Sequence, residues 1–218
     1  MQQLLRAPRA TLMFSLMAAA GLGLFIFAIA VLMKAPSEVV AQERTAELIC
    51  LQLAFVPERA VAVLLNFTAE ERLAIGQLLV PGDIGLTWGM GLTLAGLTGL
   101  LAMRLPGSWL RAGAIVMWVP LVASTFDSIE DIFLFSIASQ LAADGAAEIA
   151  PVLPLLAGIA ATIKFIALIA ITPAFGIAGI VKGLSVDRSA SSLAVYILLA
   201  FAILSIAPSS YRSIAACF

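Results

Sequence analysis

Histidine is absent from the 218 residues. That removes Ser-His-Asp and Cys-His catalysis, His-ligated zinc or iron, and His-ligated haem or chlorophyll from this chain. Cysteine is scarce. Cys50 and Cys217 are the only two, too few for a zinc or iron–sulfur site of their own. Charge is scarce as well: 11% of residues carry it, against about 25% in a soluble domain. The net charge is −1. No basic stripe exists to neutralise phosphates, which argues against a nucleic-acid partner. No basic run suggests a lipid-headgroup clamp, and no P-loop or dinucleotide fingerprint is present. No cofactor and no metal are therefore expected. Lipid is the one small-molecule class that composition leaves open.

Apolar residues are what the chain has. They make up 62% of it, and the mean hydropathy is +1.11. The class that follows is an all-α integral membrane protein: a bundle of four to five transmembrane helices in one domain over residues 1–218. The expected spans are about 12–33, 84–103, 112–140, 151–181 and 193–207. The last is short for a bilayer. Residues 12–33 follow Arg6 and Arg9 and precede "VVA" at 39–41, which imitates a signal peptide. The run exceeds the 7–15 residues of a signal core, so it reads as an uncleaved anchor.

Between the first and second spans, residues 36–80 read as amphipathic helices on the extracytoplasmic surface. The first would keep Glu43, Arg44 and Glu47 on its wet side. "VPERAVAVLLNF" places Pro57 at a first helical position. "TAEE" sets Glu71 three residues after Thr68, a capping box, and Pro81-Gly82 stops that helix. "NFT" at 66–68 matches a glycosylation acceptor but is expected unmodified, with Thr68 serving as a cap. In the second span Gly85, Gly89, Thr93 and Gly96 follow one face, a pattern for close helix packing. "GSW" at 107–109 reads as a turn, Pro120 as a kink and Pro173 as a bend.

Lysine and arginine orient the chain. Arg6, Arg9, Arg104, Arg111, Lys182 and Arg188 fall on one side. The connection at 141–150 has only Asp144 and Glu148. The positive-inside rule then puts the N-terminus in the cytoplasm and, with five spans, the C-terminus outside, most simply in a bacterial inner membrane. Both cysteines would share the oxidising side. They could pair there, but two free thiols is the preferred reading.

The third span carries "STFDSIEDIF" at 124–133. Asp127, Glu130 and Asp131 share one helical face with Ser124. Counted from Gln140, Asp127 lies ~20 Å along the helix, inside a ~30 Å hydrocarbon core. A charge at mid-membrane costs ~2.5–3.5 kcal/mol. Lys164 can answer it: Asp127 and Lys164 are equidistant from the centre of the hairpin that joins the third and fourth spans. Glu130 and Asp131 would lie one turn outward, near the interface, opposite Ala161 and Ala160. Two readings stand level: a buried pair that fixes helix register, or a proton or cation site with Lys164 as counter-charge.

This order of features resembles small bacterial membrane proteins of an uncharacterised four-helix family. "LQLAFVPERAVAVLLNF", the Asp of "PGDIG", the Asp-x-x-Glu of "FDSIEDI" and the Lys of "ATIKF" carry the likeness, over residues 12–172. Asp131 stands where the family often has Asn, and the last span is extra. The resemblance implies the fold and no activity. Of three functions, an accessory or scaffold subunit of a membrane complex is preferred, on size and Gly-rich faces. Its partners would be other subunits or copies of itself. A proton- or cation-coupled carrier comes second. A lipid-modifying enzyme comes last, since no nucleophile or metal set accompanies the acids.

Overall fold

The computed structural model describes residue 5 and residues 7–32, 42–78, 82–143, 149–215 and 217. Arg6, Pro81, Asp144, Glu148 and the "VVA" segment lie outside them, as do the side chains of Glu43 and Arg44. Every element among the described residues is a helix. They are α1 (Ala10–Leu32), α2 (Gln42–Gln52), α3 (Pro57–Leu64), α4 (Ala69–Leu78) and α5 (Ile84–Ala102). Then come α6 (Gly107–Val116), α7 (Val119–Ala143), α8 (Val152–Phe165), a π-helical segment (Ile166–Ile171), α9 (Thr172–Val186) and α10 (Ala190–Ala215).

Four segments are long and apolar enough to cross a membrane: Ala10–Leu32, Ile84–Ala102, Gly107–Leu141 and Val152–Val186. They fit a multi-pass membrane protein. The apolar part of α10, Ala190–Ser205, is shorter. Four local expectations change. "GSW" is no turn; Gly107 opens α6, with Pro106 extended before it. The third span starts at 107 and is interrupted between α6 and α7. Pro120 explains the break, because it has no N–H to close the preceding turn. Helix α10 runs beyond 193–207 at both ends. Before Pro173 the chain does not simply bend. It takes a wider π turn at Ile166–Ile171, the form a helix adopts when a ladder bond is lost. Thr172 helps by donating its hydroxyl to the carbonyl of Ala167 at 2.8 Å.

Two buried apolar clusters divide the molecule. One joins α1, α5, α6, α9 and α10 around Phe14, Leu94, Leu101, Met117 and Leu199. The other joins α2, α3 and α4 to the α7–α8 hairpin around Leu51, Leu64, Phe67, Ile75, Ile137 and Leu141. Helices α2–α4 thus form a cap layer on the hairpin. Sequence logic explains their ends. Pro57 starts α3. At α4 the backbone N–H of Thr68 donates to Glu71 Oε2 at 2.7 Å, and Glu71 N–H donates to Thr68 Oγ1 at 3.2 Å, a complete capping box. Glu47 on α2 is half-buried.

A disulfide joins Cys50 of α2 to Cys217 beyond α10. The preference for free thiols is corrected: the Cα atoms are 5.2 Å apart, inside bonding range. Arg59 adds a hydrogen bond from its guanidinium to the carbonyl of Cys217. At the opposite end, Asp187 accepts from Ser189 N–H at 2.9 Å and from Ser192 Oγ at 2.5 Å. The Ser192 hydroxyl, with help from Ser189, holds the Asp187 carboxyl below the usual range. Arg104 Nε donates to Ser192 Oγ at 2.8 Å, tying this turn to the end of α5.

Candidate functional site: a buried acid–lysine cluster

Helix α5 is placed first by what it lacks. Its small residues meet α1 backbone to backbone. A Cβ on Gly89 would stand 2.5 Å from Phe25 N, and one on Gly96 would stand 2.6 Å from Ala18 N and 2.7 Å from Phe14 O. Gly85 faces Ala28 more loosely, at 3.2 Å. Thr93 Oγ1 donates to Gly89 O at 2.8 Å. The four residues of the expected packing face therefore line the α1–α5 seam, where close approach replaces the hydrophobic drive that lipid cannot supply.

Its other side sets the register against α7. Gly91 lets Ser124 and Pro120 approach. Ser124 Oγ donates to Thr87 O at 2.9 Å, and Trp88 Nε1 donates to Ser128 Oγ at 3.0 Å. The helices run antiparallel. One turn before Thr87 on α5 is Asp83; one turn beyond Ser124 and Ser128 on α7 are Asp127 and Asp131–Ile132. The register thus carries Asp83 to the acids of α7. One carboxylate oxygen from each of Asp83, Asp127 and Asp131 lies within 4.8 Å of the other two.

Helix α8 supplies the cation. Lys164 Nζ is 2.7 Å from Asp127 Oδ1 and 2.6 Å from Glu130 Oε2. Both acids expected as partners are engaged at once. A cap residue joins them: Lys164 Nζ donates to Gln52 Oε1 at 3.5 Å. Gln52 is two residues from the bonded Cys50, so the disulfide fastens the helix that covers the lysine. Ala160 and Ala161 are buried beside the cluster on α8.

Burial is severe. Asp127 is 3% exposed, Glu130 and Asp131 0%, Lys164 5%. Asp131 is fully enclosed by protein. Among the described residues, neither of its oxygens has a hydrogen-bond partner, and the same holds for Asp127 Oδ2 and Glu130 Oε1. Asp83 alone is half-buried. Asp83 immediately precedes the span Ile84–Ala102, so the cluster sits at the end of that span. From Gly107 to Asp127 the helices climb ~30 Å, a full hydrocarbon thickness.

Four carboxylates thus surround one ammonium. Lys164 can balance one charge. The other three must be protonated or share a cation, because isolated ions buried in low dielectric are too costly. Two members, Asp83 and Gln52, were not assigned to this site from the sequence. An apolar cleft of about 570 Å³ between α1, α5 and α10 is separate. Its walls include Leu22, Phe25, Met90, Leu97 and Phe201, and none of the cluster's residues. Lacking a charged wall, it carries none of the acids' chemistry. No family model, curated protein or solved structure matches the chain.

Proposed function

We propose that this chain is a small multi-pass membrane protein that binds and carries a proton or cation at the cluster of Asp83, Asp127, Glu130, Asp131 and Lys164. One observation carries the reading. A structural pair needs one acid and one base, and Asp127 with Lys164 would fix the α7–α8 register alone. The cluster holds three further acids, and Asp131 is sealed from water with both oxygens unpaired among the described residues. Such an arrangement is costly unless something positive visits it. Lys164 keeps the site from being fully anionic when the ion leaves. The π turn that follows directly on α8 gives the helix bearing Lys164 a second hydrogen-bonding pattern within reach. Half-buried Asp83 supplies the way in.

The preferred reading from sequence alone, an accessory subunit, ranks second. Its support is the exposed apolar surface of α10, such as Ile197, Phe201 and Leu204, which lipid would cover equally well. A lipid-modifying enzyme finds less support, because the hydroxyls on the same stretch of α7, Ser124 and Ser128, are engaged with backbone carbonyls. The topology that accompanies the proposal has the N-terminus inside, the cap layer outside, and α10 as a fifth crossing.

Purified protein in liposomes tests it. With an imposed proton or cation gradient, wild-type vesicles should take up the ion faster than empty ones, and Asp131→Asn vesicles should match the empty ones. Equal uptake by wild-type and empty vesicles, together with stable stoichiometric partners in a mild-detergent pull-down, would return the accessory-subunit reading to first place.

A further inference from the structure

We propose that Asp83, Asp127 and Asp131 hold one hard divalent cation, of the Ca2+, Mg2+ or Mn2+ class. The inference rests on the ion-carrying reading above and names its ion. Geometry supplies the first ground. Three oxygens mutually within 4.8 Å leave a point no more than about 2.8 Å from each. Ca–O bonds are 2.3–2.6 Å and Mg–O bonds 2.0–2.1 Å, so small side-chain rotations close the site. The ligands come from the start of α5 and from two successive turns of α7. The Ser124–Thr87 and Trp88–Ser128 hydrogen bonds lock that register.

The second ground is Asp131. It is 0% exposed, its side chain faces Asp83 and Asp127, and neither oxygen has a partner among the described residues. A neutral, protonated Asp131 would still seek an acceptor for its hydrogen. A cation satisfies it directly. Asp127 divides its two oxygens in the same sense: Oδ1 meets Lys164, while Oδ2 has no partner among the described residues. One carboxylate can therefore bridge ammonium and metal. Lys164 and Glu130 act beside the metal as positioning residues that orient Asp127.

The donor set decides the class. All three ligands are carboxylates, the chain has no histidine, and both cysteines are in the disulfide. Oxygen-only sites suit Ca2+, Mg2+ and Mn2+, and give no preference to zinc or copper. Charge agrees. Three acids remain after Lys164 is counted, and a divalent ion compensates two, where a monovalent ion would leave two bare.

Chelator-stripped full-length protein in lipid nanodiscs, titrated with MnCl2, gives the test. Bound Mn2+ loses the six-line paramagnetic resonance signal of the free ion. One Mn2+ per chain should bind, displaced by CaCl2 or MgCl2 but not by NaCl at equal ionic strength. Asp131→Asn and Asp83→Asn should each weaken binding at least tenfold, while Asp187→Asn should leave it unchanged. CaCl2 should also raise the melting temperature of the wild-type protein, which decides the matter should a variant fail to fold. No saturable Mn2+ binding, or binding untouched by Asp131→Asn, overturns the divalent site. Proton uptake by liposomes without any Mn2+ binding would end this inference and keep the carrier reading. Mn2+ binding without any uptake would do the reverse.

Discussion

Helix α5 makes two contacts of opposite chemistry. Against α1 it offers glycine, and the two backbones touch. At its start, against α7 and α8, it offers Asp83 to a knot of buried charge. The seam has no polar cost to repay and tolerates nothing larger than a hydrogen at Gly89 or Gly96. The cluster is costly as it stands and is kept together only by mutual compensation. A glycine seam explains itself as packing. A charged knot with unpaired oxygens needs a further reason to exist, and the ion binding proposed above would supply one.

The contrast can be broken at either contact. The largest effect is expected in the cluster. Lys164→Ala strands several buried acids and should cost ~3–5 kcal/mol, read as lost folded yield and a lower melting temperature in detergent. A variant of unchanged stability would mean that the acids are already neutralised without the lysine. The cap comes next. Cys217→Ser frees α2, which lays Gln52 over Lys164, and should cost ~2–4 kcal/mol. Reduction of the wild type should reproduce that loss, and a reduced protein as stable as the oxidised one would refute it. In the seam, Gly89→Val forces a side chain onto the backbone of Phe25 and should cost ~1–3 kcal/mol. Ion binding should survive in whatever fraction folds; its loss there would show that the two contacts of α5 are not independent.

The smallest effect is a control far from both. The carboxyl of Asp187 titrates below its unfolded value because Ser192 and Ser189 donate to it. A depressed acid stabilises the fold above its unfolded pKa, near 3.9, and that stability is lost as pH falls through the folded value. Asp187→Asn should therefore melt slightly below wild type at pH 7, with the gap closing below about pH 4. A gap that persists in acid would assign the difference to something other than charge.

These two contacts also show where the sequence could be read. The Gly85–Gly96 pattern announced a close-packed face, though not that α1 would be the partner. Lys164 could be set level with Asp127 because a short hairpin fixes the depth of both arms. That argument works only for neighbours joined by a short connection. Asp83 and Gln52 escaped it. The register of α5 on α7 depends on Gly91 seating Ser124 and on Trp88 reaching Ser128, neither of which has a periodic signature. Gln52 arrives from a cap helix whose position follows from tertiary packing and a 167-residue disulfide closure. Caps were legible, as Thr68 and Glu71 show, because their hydrogen bonds are local. Pro173 signalled an irregularity, but not that the helix would answer with a π turn.

The triple variant Lys164→Met, Asp127→Leu and Glu130→Leu tests the central claim most directly, since it removes the lysine together with both acids that contact it, and replacing a whole buried ion triad can be nearly neutral for stability. Its folded yield and melting temperature should stay close to wild type, and liposomes carrying it should show no ion uptake above empty vesicles. Uptake at the wild-type rate from this folded variant would contradict the account, and would reduce the knot of charge on α7 and α8 to a device for holding two helices in register.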